Sequence, residues 1–284
     1  MSAPTVWITG AGGLIGSHLV GAAGELAPAW RVLSPSRGQL DLSDFRAVAA
    51  FFVREQPDCL LHCAALSRVA ACEADPGRAA LLNIEVTRHL AQLAAGRPFV
   101  LLSTDVVFDG RKGGYRESDP VHPLSVYART KTEAEQIVLQ NPRHTVVRPA
   151  INTGASPTGD RSFTEQMRLT WMRGETLTCF TDEFRCPLPA VVTARALWEL
   201  VGKDRPGLYH LGGAEKLSRF DLASLWAARW PELDCRIKPG SLHSYAGPPR
   251  PADTSLDCSK IQALLSFPLP KFSEWLQAHP EAMR

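Results

Sequence analysis

Short apolar runs alternate with longer stretches of helical periodicity through the first half of the chain. Residues 5–9, 31–33, 59–63, 98–103 and 144–148 read as strands, each short and rich in apolar side chains on both faces. Between them, residues 14–26, 43–54, 78–95 and 125–140 fit helices. Strands apolar on both sides and separated by helices predict an α/β fold built on a doubly wound parallel sheet. After Pro149 the rhythm changes. Prolines crowd residues 186–189 and 247–251, helical stretches are separated by loops, and residues 208–211 form one clear strand. The expected layout is a first unit over residues 1–150, rejoined by elements from about 175–211, and a smaller, partly interleaved region over residues 151–284.

Composition narrows the classes. Lys and Arg number 31 against 29 Asp and Glu, a net charge of +2. That balance gives no electrostatic reason to expect nucleic acid or an anionic membrane as partner. The longest apolar run, residues 47–53, is too short to cross a bilayer. The opening Met1-Ser2-Ala3-Pro4 lacks the basic start of a signal peptide. Seven cysteines with no CxxC pair point to reduced thiols in a cytoplasmic protein. The eight histidines show neither HxH nor HExxH spacing, so no metal site is expected.

The strongest local signal is the run from Thr9 through Gly10, Gly12, Gly13, Leu14 and Ile15 to Gly16, between the first strand and the first helix. Glycines let the backbone turn tightly and approach a pyrophosphate, and the helix start offers free N–H groups. The bland alternative is a tight strand-to-helix turn; its place in the first βα unit favours a dinucleotide loop. An NAD site needs an acid at the end of the second strand. Here that place holds Ser36 and Arg37, with no acid before Asp41, a pairing suited to a 2′-phosphate and hence to NADP(H). Tyr127 and Lys131, four apart at a helix start, share one face. A phenol beside an ammonium is drawn toward acid–base work. Ser103-Thr104-Asp105 ends the fourth strand, on the side where open α/β sheets bind ligands.

Together, Gly10, Gly13 and Gly16, Cys63-Ala64-Ala65, Asn83, Ser103-Thr104-Asp105 and Tyr127 with Lys131 resemble an extended short-chain dehydrogenase/reductase with a Rossmann-type sheet. Within that class, Ala64–Ser67, Cys72–Pro76, the run from Ser103 to Gly110, Phe184-Arg185-Cys186-Pro187, the run from Gly207 to Gly213 and Arg250–Asp253 with Leu256-Asp257 are similar to the dTDP-4-dehydrorhamnose reductase family, nearly end to end and in order. The resemblance implies an NADPH-dependent reductase of a ketone on a nucleotide-linked deoxysugar. It implies that Lys131 holds the nicotinamide ribose and lowers the pKa of Tyr127, that Tyr127 delivers the proton, and that Thr104 holds the carbonyl oxygen. Asp41 and Leu42 would lie near the adenine, Cys63, Ala64 and Ala65 would pass the ribose and phosphates, and Ser67 and Asp105 would face the substrate. Asn83 would pin the third and fourth strands together. Arg185 and Arg250 are read either as substrate-phosphate contacts or as surface charges.

Two departures stand out. The family's STDYVFDG carries a tyrosine where this chain has Val106, and its aromatic SWVYG stretch is here Pro149-Ala150-Ile151-Asn152-Thr153-Gly154. Both bear on the choice of sugar. Alternatives are an epimerase or dehydratase on the same fold, and a non-catalytic NADP-binding subunit similar to the regulatory β-subunit of methionine adenosyltransferase. Dehydratases place an Asp-Glu pair after the threonine, whereas here Thr104 is followed by Asp105-Val106. The family pattern also admits a homodimer.

Overall fold

The computed structural model describes residues 3–282. The chain begins with β1 (Thr5–Thr9), α1 (Leu14–Leu26), β2 (Arg31–Leu33), α2 (Phe45–Glu55) and β3 (Cys59–His62). There follow α3 (Val69–Ala74), α4 (Pro76–Ala80), α5 (Val86–Leu93), β4 (Phe99–Leu102), α6 (Val126–Leu139) and β5 (His144–Pro149). The second half adds β6 (Asn152–Thr153), α7 (Phe163–Met172), β7 (Leu177–Phe180), β8 (Phe184–Arg185), β9 (Leu188–Pro189), α8 (Ala190–Lys203) and β10 (Gly207–Leu211). It closes with β11 (Leu217–Ser218), α9 (Arg219–Ala227), β12 (Ile237–Gly240), α10 (Ser259–Gln262) and α11 (Phe272–Ala278).

Six strands pair in the order β10-β5-β4-β3-β1-β2, every pair parallel. Strands β1, β3, β4 and β5 are buried along their whole length, which is why they carry no apolar–polar alternation. On one face α1 and α8 pack Leu19, Ala23, Leu197 and Trp198 against Val6, Ile8 and Leu61. There the Trp198 indole donates to the Leu19 carbonyl at 3.0 Å. On the other face α2, α5 and α6 pack Val48, Phe52, Leu90 and Val138 against Trp7, Leu60, Phe99 and Leu101. Each such side chain, fully buried, contributes roughly 1.5–3 kcal/mol. The chain leaves β1 toward β2 on one side and β3 on the other. The switch point, where such sheets bind ligands, therefore lies at the C-terminal ends of β1 and β3.

Several details differ from the sequence reading. The helix expected over 78–95 is present but changes its winding: α4 runs without a break through a π-turn, Leu81–Glu85, into α5. Asn83 sits in that turn, and it clamps Leu66 rather than two strands. Its Oδ1 accepts from the Leu66 N–H at 2.8 Å, while its Nδ2 donates to the Leu66 carbonyl at 3.1 Å and to Thr130 on α6 at 3.0 Å. The expected return to the sheet starts later than 175. β7 pairs with β12, away from the main sheet, and it is α8 and β10 that rejoin it. The remaining short strands pair as β8 with β11 and β6 with β9. This second lobe packs around Met167, Trp171, Trp226, Trp230 and Phe272. Helices α7 and α9 start in capping boxes, Ser162 with Glu165 and Ser218 with Asp221. Among the described residues no helix is long and apolar enough to cross a membrane, and all seven cysteines are free.

Candidate active site

The glycine loop is shaped by contacts that only hydrogen can make. Gly10 sits at φ +75°, and a Cβ there would stand 2.6 Å from the Ala64 nitrogen; one at Gly16 would run into the Gly10 carbonyl. Gly12 faces open space, with nothing within 4 Å of a Cβ. Helix α1 opens at Gly13 without a side-chain cap. Leu14, Ile15 and Gly16 therefore present first-turn N–H groups that have no i−4 carbonyl to bond. Cys63, Ala64 and Ala65 run directly against Gly10. They are fixed by a buried chain of hydrogen bonds whose directions can be worked out. Thr87 Oγ1 donates to the Asn83 carbonyl at 2.7 Å, so it accepts from His62 Nε2 at 3.1 Å. His62 Nδ1 is then the acceptor for Thr9 Oγ1 at 2.7 Å, and Thr9 Oγ1 accepts from the Ala64 N–H at 3.3 Å. Burial, with Lys131 nearby, holds His62 down to about 3, so the ring is neutral and this tautomer persists.

At the end of β2, the Ser36 N–H and hydroxyl converge on one oxygen, Gln39 Oε1, at 2.8 and 2.9 Å. Two donors aimed at a single acceptor, with exposed Arg37 beside them, suit a phosphate oxygen. Asp41 is turned toward α2. It accepts from the Ser43 N–H and hydroxyl at 2.9 and 2.7 Å, and these bonds lower its pKa. Leu42 packs with the α2–α5 core.

Helix α6 starts where the Ser125 hydroxyl accepts from the Ala128 N–H at 3.2 Å. This cap puts Tyr127 in the first turn and Lys131 one turn on. Lys131 is buried and donates to the Leu102 carbonyl at 2.6 Å. Burial lowers its pKa to about 8, with Glu135 and Cys63 acting upward. Half-buried Tyr127 lies beside Thr104. Burial raises the phenol, Thr104 pulls it down, and Asp105 and Cys72 push it up. The side chains of the protein alone thus leave Tyr127 above its ordinary value, not below it as the resemblance implied. Thr104 caps the turn after β4, accepting from the Val106 N–H at 3.3 Å, and its hydroxyl lies 3.2 Å from Asp105 Oδ1. Ser103 Oγ is buried with no hydrogen-bond partner. Thr104, Tyr127 and Lys131 are therefore gathered at one end of β4. Cys63 is a half-buried thiol that desolvation pushes up to about 12, not a nucleophile.

The expected substrate contacts are placed differently. Ser67 is exposed on the loop that Asn83 clamps at Leu66. Asp105 is buried and used up internally. Its Oδ2 accepts from Thr254 Oγ1 at 2.6 Å and stands 3.4 Å from Arg185 Nε. Arg185 is neither a surface charge nor free for a ligand. It is buried between Asp105 and Glu183, at 3.0 Å from Glu183 Oε1, and it also donates to the Phe184 and Pro251 carbonyls. Arg250 keeps an exposed edge but donates to both Glu183 oxygens at 2.8 and 3.0 Å. Arg219 adds a third guanidinium at 2.9 Å. Desolvation would raise the Glu183 carboxyl, but these arginines win and hold it at about 2. Glu183 and Thr254 were missed from sequence; each lies within four residues of an arginine that was singled out. Among the described residues no group of three His, Cys, Asp or Glu side chains could hold a metal ion.

The family described as the RmlD substrate binding domain matches residues 4–284. The chain is 31% identical over 282 residues to a dTDP-4-dehydrorhamnose reductase of Sinorhizobium fredii, covering 94% of this chain and 93% of the relative. It is 29% identical over 273 residues to methionine adenosyltransferase 2 subunit beta of Xenopus laevis, covering 90% and 81%. Its fold is similar to that of the Bacillus anthracis dTDP-4-dehydrorhamnose reductase, solved in complex with NADP, with a TM-score of 0.88 at 23% identity and coverage of 97% and 98%. With a sheet, a glycine loop and a C-terminal lobe that match from end to end, the chain belongs to the RmlD substrate binding domain family of extended short-chain dehydrogenases/reductases.

Proposed function

We propose that the protein is an NADPH-dependent reductase acting on a ketone of a nucleotide-linked deoxysugar, in the manner of dTDP-4-dehydrorhamnose reductase. The observation that carries this reading is the convergence of Thr104, Tyr127 and Lys131 at the end of β4, beside a glycine loop whose open face at Gly12 leaves room for a pyrophosphate. The residues present fit NADP(H): the uncapped start of α1 for the pyrophosphate, the paired Ser36 donors with Arg37 for the 2′-phosphate, and Lys131 for the nicotinamide ribose.

NADPH, when bound, supplies the hydride. The residues of the chain do the rest. Tyr127 holds the proton at its phenolic oxygen and releases it to the carbonyl oxygen of the substrate. A phenol raised by burial is fully protonated at neutral pH, as an acid in a reduction must be. Thr104 offers its hydroxyl to the same oxygen, where negative charge develops. Lys131, protonated below about 8, lends positive charge to the site. The lobe over residues 151–284 would hold the sugar nucleotide, and the exposed edge of Arg250 offers a cation to a phosphate there. Ser67 would contact the sugar. Asp105 and Arg185 would join the lobes and fix Thr104 rather than touch substrate.

A second reading, a non-catalytic NADP-binding subunit, is favoured by the likeness to methionine adenosyltransferase 2 subunit beta and by Val106 and Ile151 standing where the reductases carry aromatics. NADPH oxidation on a dTDP-4-keto-6-deoxy sugar separates the two. Tyr127-dependent turnover supports the reductase. Tight NADPH binding without turnover on any ketosugar supports the subunit.

A further inference from the structure

The face of α6 that carries Tyr127 and Lys131 continues one turn further to Glu135. Glu135 is 2% exposed and Lys131 1%. Arg148 on β5 grips the Glu135 carboxylate with two nitrogens: Nε lies 3.0 and 3.1 Å from its oxygens, and a terminal nitrogen lies 2.6 Å from Oε2. Arg148 is itself buried, with its other terminal nitrogen 3.3 Å from His210 Nε2 on β10 and its guanidinium over the Phe108 ring. Burying two ions costs several kcal/mol each, and packed apolar side chains commonly hold a core as well or better. A buried pair one turn from the site lysine therefore calls for a reason beyond stability.

Lys131 supplies it. Its ammonium is out of water, and its hydrogen-bond acceptor is a neutral carbonyl, Leu102. From the end of β3 and the residue after it, His62 and Cys63 face it, and both are uncharged at neutral pH. From its own helix come Tyr127, a protonated phenol, and Glu135. Glu135 is the carboxylate that opposes the loss of the Lys131 proton. We propose that Glu135, locked by Arg148, is a positioning residue that keeps Lys131 in its ammonium form against the Leu102 carbonyl. Its consequence for coenzyme rests on the reading of Lys131 as the ribose contact; its effect on Lys131 does not.

The test is an NMR titration of the full chain with 13Cε-labelled lysine, the Lys131 signal being assigned with Lys131→Arg. In the wild-type protein the Lys131 midpoint is expected at about 8. Glu135→Gln is expected to move that midpoint down by at least about one pH unit, a tenfold rise in the acid dissociation constant. That variant strands the Arg148 charge, so Glu135→Gln/Arg148→Met, which removes both charges, is measured beside it and is expected to shift the same way. Arg148→Met alone keeps the carboxylate and should leave the midpoint at or above the wild-type value. An unchanged Lys131 midpoint in the folded double variant overturns the proposal. NADPH affinity, followed by coenzyme fluorescence across the same pH range, is read separately. A shifted midpoint with unchanged affinity keeps Glu135 in its role and counts against Lys131 as the coenzyme contact.

Discussion

Arg185 Nε stands 3.4 Å from Asp105 Oδ2, and this contact joins β8 in the C-terminal lobe to the turn that follows β4 and carries Thr104. Thr254 closes on the same carboxylate oxygen at 2.6 Å. Asp105 and Arg185 thus hold the two lobes together. The geometry of Thr104 consequently depends on residues about 80 and 150 positions further along the chain.

Beyond Arg185 lies Glu183, whose side chain is fully buried under three arginines. Its pKa is held at about 2 against an ordinary 4.5. A carboxyl lowered on folding contributes stability that is fully present above its unfolded value and is lost as pH falls through the folded one. The window is thus from 4.5 down to about 2, and the contribution is about 3 kcal/mol. Urea denaturation across that range should show the loss in the wild-type protein. In Glu183→Gln the loss over that range should be smaller by that amount, the other lowered carboxylates still contributing theirs. That variant should also be less stable at neutral pH by about 3–5 kcal/mol, because three guanidiniums lose their counter-charge.

The glycines separate folding from binding. Gly16→Ala drives a methyl into the Gly10 carbonyl, and Gly10→Ala strains a positive φ against Ala64, so both should unfold at lower temperature. Gly12→Ala meets nothing within 4 Å and should melt like the wild-type protein. If pyrophosphate approaches that face, Gly12→Ala will nevertheless weaken NADPH binding in a fluorescence titration.

Coenzyme choice is expected to reside in Arg37. Losing a charge-assisted hydrogen bond worth about 1.5–3 kcal/mol should weaken NADPH by about tenfold to a hundredfold and leave NADH unchanged. Equal losses for both coenzymes would mean that Arg37 does not meet the 2′-phosphate.

Thr104→Val removes the hydroxyl beside Tyr127 and keeps the β-branched shape. Turnover should fall by about 10²–10³ with NADPH affinity preserved. A fall in affinity alone would place Thr104 in binding and not in catalysis.

Much of this was legible in the sequence, for identifiable physical reasons. Strands β1, β3, β4 and β5 are buried on both faces, so their apolar runs stand out, and Gly10 through Gly16 announces the loop between β1 and α1. Tyr127 and Lys131 declare their shared face by spacing. What could not be read depends on distant partners. The π-turn at Leu81–Glu85 is the place from which Asn83 reaches Leu66 and Thr130, and no local pattern encodes it. Arg185 and Arg250 sit in proline-rich stretches without periodicity, so nothing nearby signals that Glu183 holds them both. Strands β6, β8, β9 and β11 are two residues long, too short to show a period. The i+4 spacing that exposed Lys131 also marks Glu135, but its meaning appears only when Arg148 arrives from β5.

The most direct measurement is the oxidation of NADPH, followed by nicotinamide absorbance, with freshly generated dTDP-4-keto-6-deoxy sugar and the Tyr127→Phe variant alongside. The expected result is turnover by the wild-type protein and a loss of about 10²–10⁴-fold in Tyr127→Phe, with NADPH binding retained. Wild-type rates in Tyr127→Phe would contradict the assignment of the proton donor, and absence of turnover in both despite tight NADPH binding would contradict the reductase itself.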